Sequence, residues 1–139
     1  QKEVAERICA KSGDLSVLSI ASQIYADCEL GQFVPRELFT PPPKVDSQVV
    51  VLKSREQNLI EIFNSKNNCK ISEREFFRIV KAGFAAKRKK IAKSLSANLA
   101  ISKEQTTEIL EKCEISPDLR AQDLKIEEWL KISKIFYSK

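Results

Sequence analysis

Three consecutive prolines lie in the stretch Phe39-Thr40-Pro41-Pro42-Pro43-Lys44-Val45-Asp46-Ser47. Each proline fixes φ near about −65° and removes a backbone donor, and each pushes the residue before it away from the α region. No helix can run through this segment, and no central strand can contain it. The segment reads as a stiff extended arm with Phe39 at its mouth, so its rigidity serves to hold one aromatic ring at a fixed spot. Gln48-Val49-Val50-Val51-Leu52 follows directly, with the β-branched density of a buried strand over 47–54. Between arm and strand, Asp46-Ser47 is suited to tie down the turn through local side-chain-to-backbone bonds.

Periodicity organises the rest. Residues 2–11 read as a helix with Val4 and Ile8 on one face, broken by Ser12-Gly13-Asp14. A second helix follows with apolar residues at 17, 20, 21 and 24. Residues 26–34 read as a strand with Cys28, Leu30 and Phe33 along one edge, and 36–39 as a short helical turn aiming Phe39. Beyond Glu56 the character changes: residues 57–63 form a helical turn, and Asn64-Ser65-Lys66-Asn67-Asn68 reads as an exposed loop. Ser72-x-x-Glu75 is a capping box opening a long helix that carries Phe76, Val80, Phe84, Ile91 and Leu95 on one face and ends at Asn98. Ser102-x-x-Gln105 caps a helix over 103–113, Pro117 suits the first turn of a short helix, and 126–137 form a last helix anchored by Ile126, Trp129, Leu130 and Ile135 or Phe136. The expected fold class is α+β and mostly helical, divided into 1–55 and 56–139.

Charge is distributed unevenly. The net charge of +5 conceals a block, residues 76–103, with eight basic side chains and no acidic one, flanked by segments of slight negative balance. A solubilising face would intersperse acids with bases at i and i+4. A block of one sign is the footprint of a polyanion partner. Arg78, Lys81, Lys87, Arg88, Lys89, Lys90 and Lys93 are the candidate polyanion-binding residues, with Lys44 on the proline arm as a further phosphate contact. On a continuous helix Lys87-Arg88-Lys89-Lys90 spans slightly more than one turn, so these side chains fan around the axis.

Several chemistries are disfavoured. There is no histidine, and Cys9, Cys28, Cys69 and Cys113 include no Cys-x-x-Cys pair, so no structural zinc site is expected and the thiols read as reduced and mostly buried. No apolar run approaches the roughly 18 residues of a membrane span, and no signal segment opens the chain, so a soluble, cytoplasmic protein is expected. The sequence contains no methionine and starts at Gln1, which points to a portion of a longer chain.

The motifs also resemble a known family. Val34-Pro35, then Phe39-x-Pro-x-Pro-Lys-Val-Asp-Ser and an apolar strand, is similar to the signature of the small-subunit rRNA adenine dimethyltransferases, the ribosomal RNA small subunit methyltransferase A type. Gln1-Lys2-Glu3-Val4-Ala5-Glu6-Arg7 resembles that family's segment after its fourth core strand. Phe84-Ala85-Ala86-Lys87-Arg88-Lys89 resembles its Phe-x-x-Arg-Arg-Lys stretch, and Leu119-Arg120-Ala121-Gln122-Asp123-Leu124 its Arg-Ala-Glu-x-Leu. The four matches occur in the family's order and cover its C-terminal portion only.

The resemblance implies that residues 1–55 close the edge of a Rossmann-like S-adenosylmethionine methyltransferase sheet, and that 56–139 form the small all-α RNA-binding domain after it. It implies Phe39 as one wall of a pocket for an extruded adenine, stacking on the base and transferring no proton. The substrate would be adjacent adenosines near the 3′ end of small-subunit rRNA, and the partner a pre-ribosomal particle. No metal is implied. Two positions depart from the pattern. Lys87 replaces an arginine, losing the bidentate fork for phosphate, and Gln122 replaces a glutamate, leaving Asp123 as the other acid available to Arg120. The three glycines are isolated and the family's Asn-Leu-Pro-Tyr-like element is absent, so these residues alone are expected neither to bind S-adenosylmethionine nor to transfer methyl groups. Alternatives are a non-catalytic RNA- or ribosome-binding module, a large-subunit methyltransferase of the macrolide-resistance type, and a DNA-binding helical domain.

Overall fold

Four helices begin where a side chain can satisfy the free amides of the first turn. Ser16 with Ser19, Asn58 with Glu61, Ser72 with Glu75 and Ser102 with Gln105 each form a reciprocal capping box, in which two orphan donors find acceptors. The computed structural model describes residues 1–138. Among them are α1 (Lys2–Ile8), α2 (Val17–Gln23), β1 (Ala26–Val34), β2 (Ser47–Ser54), α3 (Leu59–Asn67), α4 (Glu73–Phe84), α5 (Ile91–Leu99), α6 (Lys103–Lys112) and α7 (Ile126–Tyr137), with single 3₁₀ turns at Arg36–Leu38 and Ala121–Asp123.

β1 and β2 form an antiparallel hairpin whose register runs from Ala26 opposite Ser54 to Val34 opposite Ser47, with an irregularity between Leu30 and Phe33. The antiparallel pairing corrects the reading of the proline segment as an extended arm. Residues 35–46 join two strands of opposite direction, so the segment bends back on itself as the hairpin's loop. β2 is a strand, as its composition predicts, but it is not buried: Val49, Val51 and Leu52 are 45%, 40% and 54% exposed. Branched side chains report the pleat; burial depends on what covers the sheet, and here α1 and α2 cover it only in part.

The core lies among the helices. Trp129, Phe76, Ile79, Val80, Ile91, Leu95, Leu110, Leu124 and Ile132 are fully enclosed, and Leu15, Ile20 and Ile24 belong to the same cluster. Buried side chains on both sides of residue 55 therefore share one hydrophobic interior. Backbone bonds reinforce the join: Gln122 O accepts from Gly13 N at 3.0 Å and Leu15 N at 3.2 Å, and Ile24 O accepts from Leu59 N at 3.0 Å.

Four further sequence readings change. Asn64 to Asn67 are helical, closing α3, with Asn68 as a left-handed cap (φ 49°). Asn64 is drawn inward because its amide donates to Ile71 O at 2.8 Å and accepts from Ile71 N at 2.9 Å. The long helix expected to reach Asn98 is two helices, since α4 ends at Phe84 and α5 begins at Ile91. Pro117 occupies a turn outside any helix, and the following helical turn is Ala121–Asp123. All four cysteines are free thiols, but only Cys113 is buried; burial pushes its pKa up to about 11.

Candidate nucleic-acid interface

The break between α4 and α5 makes the candidate surface. Ser94, buried in α5, reaches back one layer: its hydroxyl lies 2.9 Å from Ala82 O and 2.8 Å from Gly83 O as a shared donor, and it accepts from Ala86 N at 3.3 Å. Those contacts satisfy the last carbonyls of α4 and cap it. Lys90 is then held extended (φ −60°, ψ 146°) as the residue before α5. It forms an isolated antiparallel bridge with Arg120, and Ile91 N donates to Leu119 O at 2.6 Å. Residues 85–90 therefore form a loop pinned at both ends.

That loop presents Lys87, Arg88, Lys89 and Lys90, all exposed. They extend from a loop and do not fan around a helix, which corrects the helical reading of this block. Among the described residues, Lys87, Arg88, Lys89 and Lys93 have no carboxylate within ion-pair distance, while Lys90 Nζ lies 2.8 Å from Asp118 Oδ1. Lys81 is exposed in the last turn of α4. Arg78 faces α7 instead: its guanidinium donates to Tyr137 Oη at 3.1 Å and lies 5.5 Å from the centre of the Phe136 ring. Arg78 is thus tied to its own protein in a way that Lys87, Arg88 and Lys89 are not.

Phe39 follows the Arg36–Leu38 turn with extended backbone (φ −100°, ψ 148°) and is 41% exposed. The base of its loop is clasped. Arg36 N donates to Asp46 Oδ1 at 2.9 Å, the Arg36 guanidinium donates to Lys44 O at 3.1 Å, and Lys2 N donates to Asp46 O at 3.1 Å. Asp46 does tie the turn, but across the whole loop. Lys44 lines a cavity of about 330 Å³ beside this clasp, together with Lys2, Glu3, Glu6 and Arg36. It does not line the groove that Lys90 of the basic loop and Lys93 of α5 share.

Sequence reasoning did not find Ser94, Arg36 or Asp118. Ser94 carries no local signal, because its partners Ala82, Gly83 and Ala86 lie eight to twelve residues back, at the end of α4 and in the loop after it. Arg36 and Asp46 flank the proline run on either side, and that placement was the available clue. Asp123 does not pair with the Arg120 side chain: its carboxylate accepts the Arg120 backbone N–H at 3.1 Å. Among the described residues no three potential metal ligands converge, and no helix is long and apolar enough to cross a membrane.

The residues present do not fit S-adenosylmethionine. The two strands are antiparallel, so among the described residues there is no parallel β–α–β crossover of the kind that cradles a nucleotide-like cofactor. None of the three glycines lies in a loop between a strand and a following helix.

Residues 1–138 match the family described as Ribosomal RNA adenine dimethylase. The chain is similar to the Ribosomal RNA small subunit methyltransferase A of Fusobacterium nucleatum, with 42% identity over 137 residues, covering 98% of this chain and 49% of that protein. It is similar to the protein of the same name from Nostoc sp., with 41% identity, covering 97% of this chain and 46% of that protein. Among solved structures, a dimethyladenosine transferase from Plasmodium falciparum superposes with a TM-score of 0.68 at 22% identity, over 95% of this chain and 53% of that one. The 23S rRNA methyltransferase ErmE superposes at 0.61 with 23% identity, over 96% of this chain and 51% of that one. Those two likenesses concern the fold. The chain spans about half the length of the curated relatives it matches. With the family's description covering residues 1–138 and relatives this similar along nearly the whole chain, the chain belongs to the ribosomal RNA adenine dimethylase family.

Proposed function

We propose that this chain is the C-terminal part of an rRNA adenine dimethyltransferase, supplying the RNA grip and one aromatic wall of the target-base pocket. In this reading the whole enzyme moves methyl groups from S-adenosylmethionine to the exocyclic amines of adjacent adenosines near the 3′ end of small-subunit rRNA. The cofactor and the amine acceptors belong to residues outside this chain. Residues 1–55 form the closing edge of the catalytic sheet, whose uncovered faces meet the rest of that domain. Residues 56–139 form the helical domain that holds RNA in a cytoplasmic pre-ribosomal particle.

The observation that carries the reading is the acid-poor basic loop, pinned at both ends, in a chain that also holds a half-exposed phenylalanine on a clasped loop. An adenine amine is a poor nucleophile because its lone pair is delocalised into the ring, so rigid placement of the extruded base is part of the chemistry. Extrusion costs a few kcal/mol, and stacking on an aromatic ring returns about 1–3 kcal/mol per base. Phe39 supplies that surface without exchanging a proton. Lys87, Arg88, Lys89, Lys81 and Lys93 take phosphates, which position the protein without reading sequence, while Lys90 adds to the positive field of the loop from its ion pair with Asp118. Arg78 and Lys44 are secondary contacts.

Methyl transfer tests the assignment. Residues 1–139 alone are expected to move no methyl group from radiolabelled S-adenosylmethionine to small-subunit particles. A chimera carrying the remaining half of the Fusobacterium relative is expected to do so, and Phe39→Ala in that chimera to lose roughly ten- to a hundredfold, the rate equivalent of one stacking contact. Transfer by residues 1–139 alone, or an undiminished rate in Phe39→Ala, contradicts the assignment.

A further inference from the structure

Lys90, Lys93 and Lys103 converge with Thr107 on a groove of about 260 Å³ between α5 and α6, floored by Ala92 and Pro117 and closed on one side by Asp118. Its far wall is rigid. Pro117 O accepts from Ala92 N at 3.5 Å, Leu119 O accepts from Ile91 N at 2.6 Å, and Lys90 pairs with Arg120. These bonds strap the 116–120 segment to the start of α5, so Lys90 and Asp118 keep their places relative to the groove floor.

The charge balance in the groove is one-sided. Asp118 is the sole carboxylate in its lining, and it is engaged by Lys90. Among the described residues, Lys93 and Lys103 have no carboxylate within ion-pair distance. Two unneutralised ammonium groups over an apolar floor are a poor arrangement for water and a good one for a group with a carbon face and an anionic edge. The volume lies just under the roughly 300 Å³ at which small-molecule pockets begin, a size suited to a single sugar-phosphate unit.

We infer that this groove is a second RNA-backbone site, continuous with the basic loop and dependent on the RNA reading above. One ribose lies against Ala92 and Pro117, its flanking phosphates meet Lys93 and Lys103, and the Thr107 hydroxyl bonds the ribose 2′-hydroxyl. Asp118 holds Lys90 back from the phosphates, so it sets how many cations the RNA neutralises. Backbone sites that use the 2′-hydroxyl separate RNA from DNA.

The test uses residues 1–139 and a fluorescein-labelled RNA stem-loop, with DNA of the same sequence, titrated between about 50 and 200 mM salt. Each phosphate contact contributes about 0.7–0.9 to the slope of log K against log salt. Lys93→Gln with Lys103→Gln is expected to lower that slope by about 1.4–1.8. Asp118→Asn is expected to raise affinity and steepen the slope by releasing Lys90. Thr107→Val is expected to weaken RNA binding and leave DNA binding unchanged. An unchanged slope in the Lys93/Lys103 variant, while Lys87→Gln/Arg88→Gln/Lys89→Gln lowers it, overturns the groove and leaves the RNA reading standing. Unchanged slopes in both variants overturn the two together. Weaker binding by Asp118→Asn, or equal losses for RNA and DNA in Thr107→Val, also contradicts the site.

Discussion

Asp46 and Arg36, ten positions apart, close the loop that carries Phe39: one carboxylate oxygen of Asp46 accepts the Arg36 backbone N–H at 2.9 Å. The same residue's carbonyl accepts from Lys2 N at 3.1 Å, coupling the loop to the start of α1. The base of the loop is thus held by bonds to its backbone, and Phe39, within the loop, is 41% exposed.

Asp46→Ala should loosen that loop without unfolding the protein. The lost bond is charge-assisted but exposed, so its cost belongs near about 1 kcal/mol. Hydrogen exchange at the Arg36 amide should accelerate about fivefold or more, and the Phe39 ring resonances should broaden or shift. Asp46→Asn keeps an acceptor and should restore most of the protection. An Arg36 amide equally protected in Asp46→Ala would show that the prolines alone hold the loop.

Ser94→Ala should destabilise the fold more than its size suggests. It leaves the buried carbonyls of Ala82 and Gly83 and the amide of Ala86 without their partner. Unsatisfied buried groups cost about 1–3 kcal/mol, which lowers Tm by roughly 4–10 °C for a domain of this size. Thermal unfolding followed by circular dichroism measures this, and a Tm within a degree of wild type would contradict it.

Gly83 is glycine because Trp129 lies against it. A Cβ there would overlap the six-membered part of the indole at Cη2 and Cζ3, and Trp129 is fully buried and stacked on Phe84. Alanine gains about 1 kcal/mol of helix propensity over glycine, whereas overpacking a rigid ring costs about 1–3 kcal/mol; packing wins. Gly83→Ala should therefore be destabilising in urea. Trp129→Phe removes the overlapping atoms and also the Nε1 donor, which has no partner among the described residues. The alanine should then become neutral or favourable in the double variant. Additive effects would show that the two positions do not collide.

Cys113 gives the chain an alkaline dependence. Its folded pKa of about 11 lies above the ordinary 9.0, because burial disfavours the thiolate. The unfolded chain releases this proton first, so the stabilisation is complete below about pH 9 and is lost as pH rises toward about 11. The stability difference between wild type and Cys113→Ala should shrink over that interval by on the order of 2 kcal/mol. A constant difference would mean that the thiol titrates normally in the folded protein.

Local chemistry was the legible part of this sequence. Ser72-x-x-Glu75 and Ser102-x-x-Gln105 predict helix starts that α4 and α6 adopt, because a capping box is decided within four residues. β1 was likewise readable from the apolar edge of Cys28, Leu30 and Phe33, β2 from β-branched density, and α7 from helical spacing. The α4–α5 break was not. Phe84 and Ile91 are seven residues apart, two helical turns, so the apolar face stays in phase across the loop and imitates one helix. What ends α4 is Ser94 from the next element, together with the strap at 116–120. The charge block pointed to the basic loop, but its shape, and the groove with Lys103, Thr107 and Asp118, exist only once that strap folds against α5.

We propose that the 85–90 loop grips rRNA through its phosphates. The most direct test is binding of residues 1–139 to small-subunit particles at increasing salt, wild type against Lys87→Gln/Arg88→Gln/Lys89→Gln. Three lost phosphate contacts should flatten log K against log salt by about 2–3 and weaken binding most at low salt. An affinity and slope equal to wild type would contradict the account.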